Sequence, residues 1–351
     1  MFQVTNESTA DSAWQNAARW FLPGGIASVQ QGRTGKTTEV LHAVLSIGDS
    51  PQRWIASRVP ALNPAFAIAE VVWIISGRRD SAFLNYFNPK LPKFAGDGPT
   101  YYGAYGFRLR HQFGVDQLER AYLALNAKSN SRQIVLQIWD PRSDLPDNNG
   151  LPRAADIPCN IMSMLKIRSK RLEWTQVMRS NDLLLGLPHN IIQFTSLQEV
   201  FAGWLGIQTG SYNHVSDSLH LYERDGAVAD RLRPANIPPN SDSLLLPKAE
   251  SEKAFRTLSE FGDLLRNDNN DADKIKAGLD HLGLPPAYFN LAAILAADAL
   301  RRRGHIDLAR QVNSRGSNNC LRVLFERWLD RKLTETVESF TFDRERSDER
   351  K

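Results

Sequence analysis

The chain has 351 residues, 42% of them hydrophobic and 23% charged, a composition that can fill the core of one large domain or two ordinary ones and that excludes disorder over most of its length. The formal net charge is only +4, and no long basic run with interleaved aromatic residues occurs, so nucleic acid is not an expected partner. Residues 1–18 are polar and no stretch has the roughly 18–20 consecutive apolar residues of a membrane span, so we expect a cytoplasmic protein with neither a signal peptide nor a membrane contact.

In chain order, the first predicted element is a buried helix at residues 63–75. Asn63 is its expected N-cap, and Pro64 occupies the first helical position, where the missing N–H costs little. Residues 132–139 are rich in branched apolar side chains, which predicts a β-strand.

A β-hairpin is predicted next, with strands at residues 161–168 and 171–178 around Ser169-Lys170. A helix at 190–205 and a strand at 207–222 follow. Alternation along this last strand would place one set of polar side chains on a single face, namely Ser216, Ser218, His220 and Tyr222.

The composition changes after this strand. Four prolines within residues 233–247 predict a linker at 233–248, which follows a domain of residues 1–232. Helical spacing then predicts a helical C-terminal region at residues 249–340, and the charged residues 341–351 predict a flexible tail. The helices expected in this region are 249–267, 272–282, 287–303 and 317–332.

Polar side chains concentrate between Pro158 and Tyr222. Cys159 follows a proline at the start of a predicted strand, and the hairpin returns Arg179 towards it; a nearby cation favours the nucleophilic thiolate over the thiol. A cysteine in a sheet is by itself more often a small core residue. The run MRSNDLLLGLPHNI at 178–191, however, surrounds an apolar segment with polar side chains that a core element would not need.

The motifs PCN, MRSNDLLLGLPHNI and SDSLHLY resemble the signature of the thymidylate synthase family, which is PCH, QRSxD..LGLPFNI and GDxHxY. The spacings agree without a gap, with 20 residues from Cys159 to Arg179, 31 to Asn190 and 61 to His220. The resemblance covers about residues 20–225. Its upstream part comprises GRTGK at 32–36, AEVVW at 69–73, AYGFR at 104–108 and NSRQIVLQIW at 130–139.

This resemblance implies an α/β (α+β) fold, a mixed-sheet sandwich of the thymidylate synthase type, here with an added helical C-terminal region. It also implies a homodimer paired back to back. The implied reaction is transfer of a one-carbon unit from the cosubstrate 5,10-methylenetetrahydrofolate to C5 of a pyrimidine nucleoside monophosphate, foremost from dUMP to dTMP. No metal is expected, because the chain has two distant cysteines, Cys159 and Cys320, and no cluster of Cys and His residues.

The resemblance also implies the catalytic residues. Cys159 is the expected nucleophile that adds to C6, and Glu70 is the carboxylate that organises proton transfer at the base. Tyr105 is the expected group near the C5 proton, with Tyr101 and Tyr102 as alternatives for that position. His189 and His214 are expected to be structural.

Further residues are implied for substrate binding. The expected phosphate ligands are Arg33, Arg179 and Ser180, together with Arg132 reaching across the dimer to the partner's nucleotide. Asn190 resembles the amide that accepts from N3–H and donates to O4 of uracil, whereas an aspartate there marks the deoxycytidylate hydroxymethylases. For the sugar 3′-hydroxyl the expected pair is His220 and Tyr222, and for the folate it is Asp182 and Gly186.

Four departures from the family pattern affect the product. Asn160 replaces the usual histidine after the nucleophile, and Gln133 replaces a second arginine. No tryptophan occurs between Gly77 and Arg110, and the chain continues into helix-rich sequence instead of a short apolar tail. The missing tryptophan and the missing tail weaken the exclusion of water, and water in place of hydride yields a hydroxymethyl group instead of a methyl group. The alternatives are therefore a dUMP, dCMP or CMP 5-hydroxymethylase and an inert nucleotide- or RNA-binding homologue.

Overall fold

The computed structural model describes the backbone of residues 1–32 and 35–348, with the side chains of residues 1–31 and 35–335. The strands in this part are β1 (Gln3–Glu7), β2 (Ser28–Gly32), β3 (Gly35–Ile47), β4 (Val135–Gln137), β5 (Asn160–Arg168), β6 (Arg171–Met178), β7 (Asn181–Asp182) and β8 (Gln208–Tyr222). The α-helices are α1 (Ala10–Arg19), α2 (Pro64–Ile75), α3 (Ser81–Phe87), α4 (Pro92–Ala95), α5 (Tyr105–Phe107), α6 (Gln117–Ala127), α7 (Pro141–Asp144), α8 (Gly186–Trp204), α9 (Lys248–Leu265), α10 (Ala272–Asp280), α11 (Pro286–Arg302), α12 (Ile306–Ser314) and α13 (Asn319–Asp348). None of the helices in the described part combines the length and apolar character needed to cross a bilayer.

All eight described strands belong to one mixed sheet. Its order is β1-β3-β8-β6-β5-β4, with β2 added to β3 and β7 added to β8. The pairs β1/β3 and β6/β8 are parallel, whereas β3/β8 and β5/β6 are antiparallel. The mixed sheet with its helices confirms the predicted α/β fold class.

The predicted hairpin is confirmed by β5 and β6. Its two turn residues, Ser169 and Lys170, have φ angles of 49° and 57°. Left-handed backbone at both central residues is what a tight two-residue hairpin of type I′ requires. The turn therefore forms at the expected place even though Ser-Lys is a weak turn pair.

One face of the sheet is covered by α8, which packs on β6 and β8 and is itself covered by α2 and α9. The side chain of Gln198 ties α8 to the sheet by donating to the carbonyl oxygens of Leu172 (2.8 Å) and Gly210 (3.2 Å). The predicted helix at 63–75 is confirmed as α2. Asn63 is its N-cap, as predicted, because its side chain accepts from the backbone N–H groups of the first turn.

The opposite face of the sheet carries a row of apolar side chains across five strands. In register, Val4 pairs with Val44, Val44 with Val215, Val215 with Val177, and Val177 with Met162. These side chains are half-buried or exposed, and 53% of Val4 is accessible. Within the described part of the chain, this face therefore keeps apolar surface in contact with solvent.

The alternation of β8 changes phase at its middle. Tyr212, His214 and Ser216 are buried, and beyond Asp217 the buried positions become Leu219 and Leu221. The change occurs beside His42 on β3, whose backbone is left-handed with φ 57°. The prediction of one shared face is therefore wrong for Ser216, which is fully buried, while Ser218, His220 and Tyr222 are half-buried together.

Residues 233–247, which we call the strap, have no regular secondary structure and lie against residues 1–232 before α9 begins. The backbone N–H of Asn240 donates to the side chain of Gln52 (2.8 Å), and that of Leu244 donates to Glu199 Oε1 (3.0 Å). Glu199 also forms a buried ion pair with Arg53. The strap is thus anchored to α8 by the buried hydrogen bond between Leu244 and Glu199.

Helices α9 to α13 follow the strap, and α11 packs on both α2 and α9. The predicted helices are observed within a few residues for α9, α10 and α11, whereas α12 was not predicted. The last helix, α13, continues through residues 341–348, which the sequence assigned to a tail, and residues 349–351 lie outside the described part.

Other elements differ from the predictions. The strand expected at 132–139 pairs only over Val135–Gln137, because the N–H groups of Ile138 and Trp139 both turn to the carbonyl of Ile161. The elements β1, α1, β2 and β3 were not predicted at all.

Candidate active site

Cys159 lies immediately before β5, at the end of the hairpin. The backbone N–H of Arg179, which follows β6, donates to the carbonyl oxygen of Cys159 (2.9 Å). The Cys159 side chain is half-buried. The hairpin therefore brings Arg179 beside Cys159, as the sequence predicted.

The guanidinium of Arg179 is held by two carbonyl groups that precede Cys159. Its Nε donates to Pro158 O (3.0 Å), and one of its terminal nitrogens donates to Ile157 O (3.1 Å). A guanidinium has five N–H donors in a planar fork. Because only two of the five serve these bonds, the group can still donate to an anion.

The amide of Asn190 lies next to the residue that follows Cys159. Asn190 Oδ1 accepts from Asn160 Nδ2 (3.2 Å), and Asn190 Nδ2 donates to Gly186 O (2.9 Å) and Asn181 Oδ1 (3.2 Å). Asn190 is only 7% exposed, and it is placed by the first turns of α8. The expected nucleophile and the expected base-binding amide are therefore joined through Asn160.

Tyr105 and Glu70 lie on the side of α2 and α5. Burial raises the pKa of Tyr105, and the charges of Cys159 and Glu70 raise it further, whereas an interaction with Asn160 lowers it. Glu70 is hydrogen-bonded to the imidazole of His189. Tyr105 thus remains a neutral hydroxyl at physiological pH and lies within the electrostatic reach of both Cys159 and Glu70.

Ser180, Asp182, His220 and Tyr222 form a second group where β7 pairs with β8. Ser180 Oγ lies 3.4 Å from His220 Nδ1, and Asp182 is in register with His220. The rings of His220 and Tyr222 meet edge to face with centroids 5.0 Å apart. The pKa of His220 is lowered by burial, although the carboxylate of Asp182 opposes that shift.

Asp182 carries an unused buried oxygen. Its Oδ1 accepts from the backbone N–H groups of Leu184 (2.8 Å) and Leu185 (2.6 Å). Its Oδ2 is buried and has no hydrogen-bond partner among the described residues. Burial raises the pKa of Asp182, so the carboxyl group would gain from a donor supplied by a ligand.

Gly186 begins α8 in close contact with this polar cluster. A Cβ atom at Gly186 would lie 2.7 Å from Asn181 Oδ1 and 3.6 Å from Asn190 Nδ2. The absence of a side chain therefore lets the first turn of α8 approach Asn181, which the sequence did not predict.

Two expected nucleotide ligands are not in the cluster. Arg33 lies outside the described residues. The side chain of Arg132 is exposed just before β4, and within the described part no hydrogen bond or ion pair joins it to the group around Cys159.

Several polar residues of the cluster were missed or underrated by the sequence. Asn181 Nδ2 lies 2.9 Å from His214 Nε2, and Tyr212 Oη lies 2.9 Å from His214 Nδ1. Burial lowers the pKa of His214 to about 3, so this imidazole is neutral. Gln176 is fully buried, and burial raises the pKa of Asp156, which accepts from the N–H of Gly103 (2.8 Å). Polar residues at inward positions of strands were the signal that could have indicated the buried amides.

Within the described ranges, no group of three or more His, Cys, Asp or Glu side chains is arranged to hold a metal ion. The site is instead a half-buried thiol that is bordered by a guanidinium, carboxamides, a neutral phenol and two carboxyl groups. Such a set suits covalent attack on an electrophilic ring carbon of an anionic substrate.

Comparisons with known proteins agree with this chemistry. The family model described as thymidylate synthase matches residues 27–276, which is more than half of the chain and extends beyond residue 225, where the motif resemblance ended. The deoxyuridylate hydroxymethyltransferase of Bacillus phage SP01 is 37% identical over 175 residues, which cover 47% of this chain and 45% of the phage protein. The protein of the same name from Pseudomonas phage M6 is 36% identical over 163 residues, which cover 46% and 45%.

An archaeal relative is also similar. The putative thymidylate synthase of Methanothermobacter thermautotrophicus is 33% identical over 215 residues, which cover 60% of this chain and 89% of the archaeal protein. The chain thus aligns with nearly all of this relative but spans only about half the length of the two phage proteins.

Proposed function

Because this chain belongs to the thymidylate synthase family, we propose that it transfers a one-carbon unit from 5,10-methylenetetrahydrofolate to C5 of a pyrimidine nucleoside monophosphate. The observation that supports this proposal most strongly is the arrangement of residues around Cys159. This residue is bonded through its backbone to Arg179, and its neighbour Asn160 is bonded to Asn190. A nucleophile, a cation for phosphate and an amide for the base therefore occupy adjacent positions.

The proposed reaction begins with addition of the Cys159 thiolate to C6. The electron pair of the C5–C6 double bond then forms the bond between C5 and the methylene carbon of the folate. As this bond forms, one carbon–nitrogen bond of the methylene carbon opens. Loss of the C5 proton then breaks the other, which releases tetrahydrofolate and leaves an exocyclic methylene group on C5. Water, with loss of a proton, or hydride from the tetrahydrofolate adds to that group, and the electron pair restores the C5–C6 double bond as the Cys159 thiolate leaves C6. Glu70 and Tyr105 are the proposed proton-transfer groups, because Tyr105 lies within electrostatic reach of both Cys159 and Glu70.

The proposed nucleotide site uses the remaining residues of the cluster. Arg179 and Ser180 bind the phosphate together with Arg33, and Arg132 is supplied by the partner subunit. His220 and Tyr222 hold the sugar hydroxyl, and their edge-to-face contact fixes the two rings relative to each other. Asn190 binds the base.

The folate is proposed to contact Asp182 near Gly186. The support is the buried Oδ2 of Asp182, which has no partner in the described part of the chain, together with its raised pKa. A donor group of the folate ring system would satisfy this oxygen.

We assign water as the favoured final reactant, which makes the product a 5-hydroxymethyl nucleotide. Both phage relatives carry the name deoxyuridylate hydroxymethyltransferase, and the segment between Gly77 and Arg110 has no tryptophan to shield the reacting methylene carbon. The second candidate is methylation of dUMP to dTMP with formation of dihydrofolate. The name of the archaeal relative, putative thymidylate synthase, favours that product.

The proposed assembly is a cytoplasmic homodimer that pairs through the uncovered face of the sheet. Its support is the apolar row of Val4, Val44, Val215, Val177 and Met162, which remains accessible in the single chain. Contiguous exposed apolar surface of this kind is typical of a protein interface.

The test is mass spectrometry of the nucleotide after incubation with methylenetetrahydrofolate and dUMP, dCMP, UMP or CMP. We expect 5-hydroxymethyl-dUMP with release of tetrahydrofolate, and no product from Cys159→Ala. A methylated product with dihydrofolate would select the second candidate. No product from any of the four nucleotides would refute one-carbon transfer and favour an inert nucleotide-binding homologue.

A further inference from the structure

A continuous chain of buried hydrogen bonds runs along the covered face of the sheet behind Cys159. It links Trp174 to Gln176, Gln176 to Asn160, and Asn160 to Asn190. Trp174, Gln176 and Asn160 are each 0% exposed. Water is therefore excluded from these three residues, and each amide depends on its protein neighbours for hydrogen bonds.

The orientation of the first amide is fixed by a group that can only donate. Trp174 Nε1 lies 3.2 Å from Gln176 Oε1, and an indole N–H has no acceptor capacity. Ser163 Oγ donates to the same oxygen at 2.6 Å. The nitrogen of Gln176 must then face Asn160 Oδ1 (2.7 Å), which leaves Asn160 Nδ2 to donate to Asn190 Oδ1 (3.2 Å).

The other end of the chain is fixed by a group that can only accept. Asn190 Nδ2 lies 2.9 Å from the carbonyl oxygen of Gly186, and its second proton is directed to Asn181 Oδ1 (3.2 Å). Both ends therefore require the same orientation of Asn190. Reversing any one amide would bring two donors or two acceptors together in a buried place.

We propose that Trp174 and Gln176 are positioning residues that restrict the substrate to uracil nucleotides and disfavour cytosine nucleotides. They hold Asn190 so that its oxygen can accept from a ligand, whereas both of its amide protons bond Gly186 O and Asn181 Oδ1. The donation from Asn190 to O4 that the family resemblance implies is therefore not offered in this arrangement. One lone pair of Oδ1 accepts from Asn160, so the second can accept from the N3–H of uracil. Cytosine presents a lone pair at N3 and would oppose that oxygen. This inference rests on the proposed function, in which Asn190 binds the base.

The test compares Gln176→Met with a matched control, Gln198→Met. Both glutamines lie on the same covered side, both are fully buried, and both lose amide hydrogen bonds, but Gln198 bonds backbone carbonyls and not the chain to Asn190. The measured quantity is the ratio of kcat/KM for dUMP to kcat/KM for dCMP. Trp174→Phe, which keeps a ring and removes the donor, is the second variant.

We expect Gln176→Met to lower this ratio at least tenfold, chiefly through a higher KM for dUMP, and Trp174→Phe to lower it by a smaller factor. Gln198→Met should stay within twofold of the unmodified protein. A ratio unchanged in both Gln176→Met and Trp174→Phe, while Asn190→Asp shifts it towards dCMP, would overturn the inference and leave base binding by Asn190 intact. An unchanged ratio in Asn190→Asp would refute its role at the base, and no turnover by the unmodified protein would refute the proposed function itself.

Discussion

Replacing Gly186 by alanine tests how closely the first turn of α8 must approach the buried amides. The new Cβ would lie 2.7 Å from Asn181 Oδ1, so the carboxamide of Asn181 has to move. Overpacking of this kind costs about 1–3 kcal/mol, and losing the Asn190–Asn181 hydrogen bond adds about 0.5–1.5 kcal/mol. The lower entropy of unfolded alanine offsets about 0.4–1 kcal/mol. The expected net loss of stability is therefore roughly 0.5–4 kcal/mol.

Gly48→Ala provides the control, because a Cβ there would make an ordinary contact of 3.7 Å with Glu7 O. Its expected effect is within about 0.5 kcal/mol. The assay is denaturant unfolding of both variants, followed by calorimetric titration with dUMP. We expect Gly186→Ala to weaken dUMP binding as well, since Asn190 loses a partner. Equal stabilities and equal dissociation constants for the two variants would refute the argument.

Four further expectations follow from the structure. Cys159→Ala should abolish turnover while dUMP still binds in calorimetry; undiminished turnover would remove the covalent mechanism. Inactive Arg132→Ala and Cys159→Ala proteins should regain activity when their subunits exchange, because a mixed dimer has one intact site; exchange without recovery would argue against a shared site. Glu199→Ala should cost about 3–5 kcal/mol in denaturant unfolding, because it strands the buried charge of Arg53; a loss below about 1 kcal/mol would contradict this. His214 has its pKa lowered from 6.5 to about 3, so its neutral form contributes stability fully above pH 6.5 and loses it as the pH falls towards 3, at about 1.4 kcal/mol per pH unit; His214→Gln should flatten this decline, and equal slopes would count against it.

The sequence predicted the parts of the site that depend on local order along the chain. The hairpin follows from two short apolar strands with a two-residue turn, and it necessarily returns Arg179 to Cys159. Asn190 was placed correctly in a helix beside the other polar residues. These relationships involve segments that are close in sequence or joined by one tight turn.

The buried amide chain could not be predicted in the same way. Alternation indicates that Gln176 and His214 point inwards, but their partners Asn160 and Asn181 lie on β5 and β7, which meet β6 and β8 only in the folded sheet. A pattern of period two shows which face a side chain occupies, not which distant side chain lies beside it. Because the alternation of β8 changes phase near Asp217, even the face predicted for Ser216 was wrong.

The strap has a consequence for how the molecule unfolds. Tyr288 of α11 donates to the carbonyl of Leu244, whose N–H is bound by Glu199 of α8, and α11 also packs on α2. Pulling the C-terminal helices away would therefore uncover apolar surface of α2 and leave buried polar groups of α8 unpaired. Two segments that share a core in this way unfold cooperatively, even where the composition of the chain changes between them. We infer that helices α9 to α12 melt together with residues 1–232 in one transition.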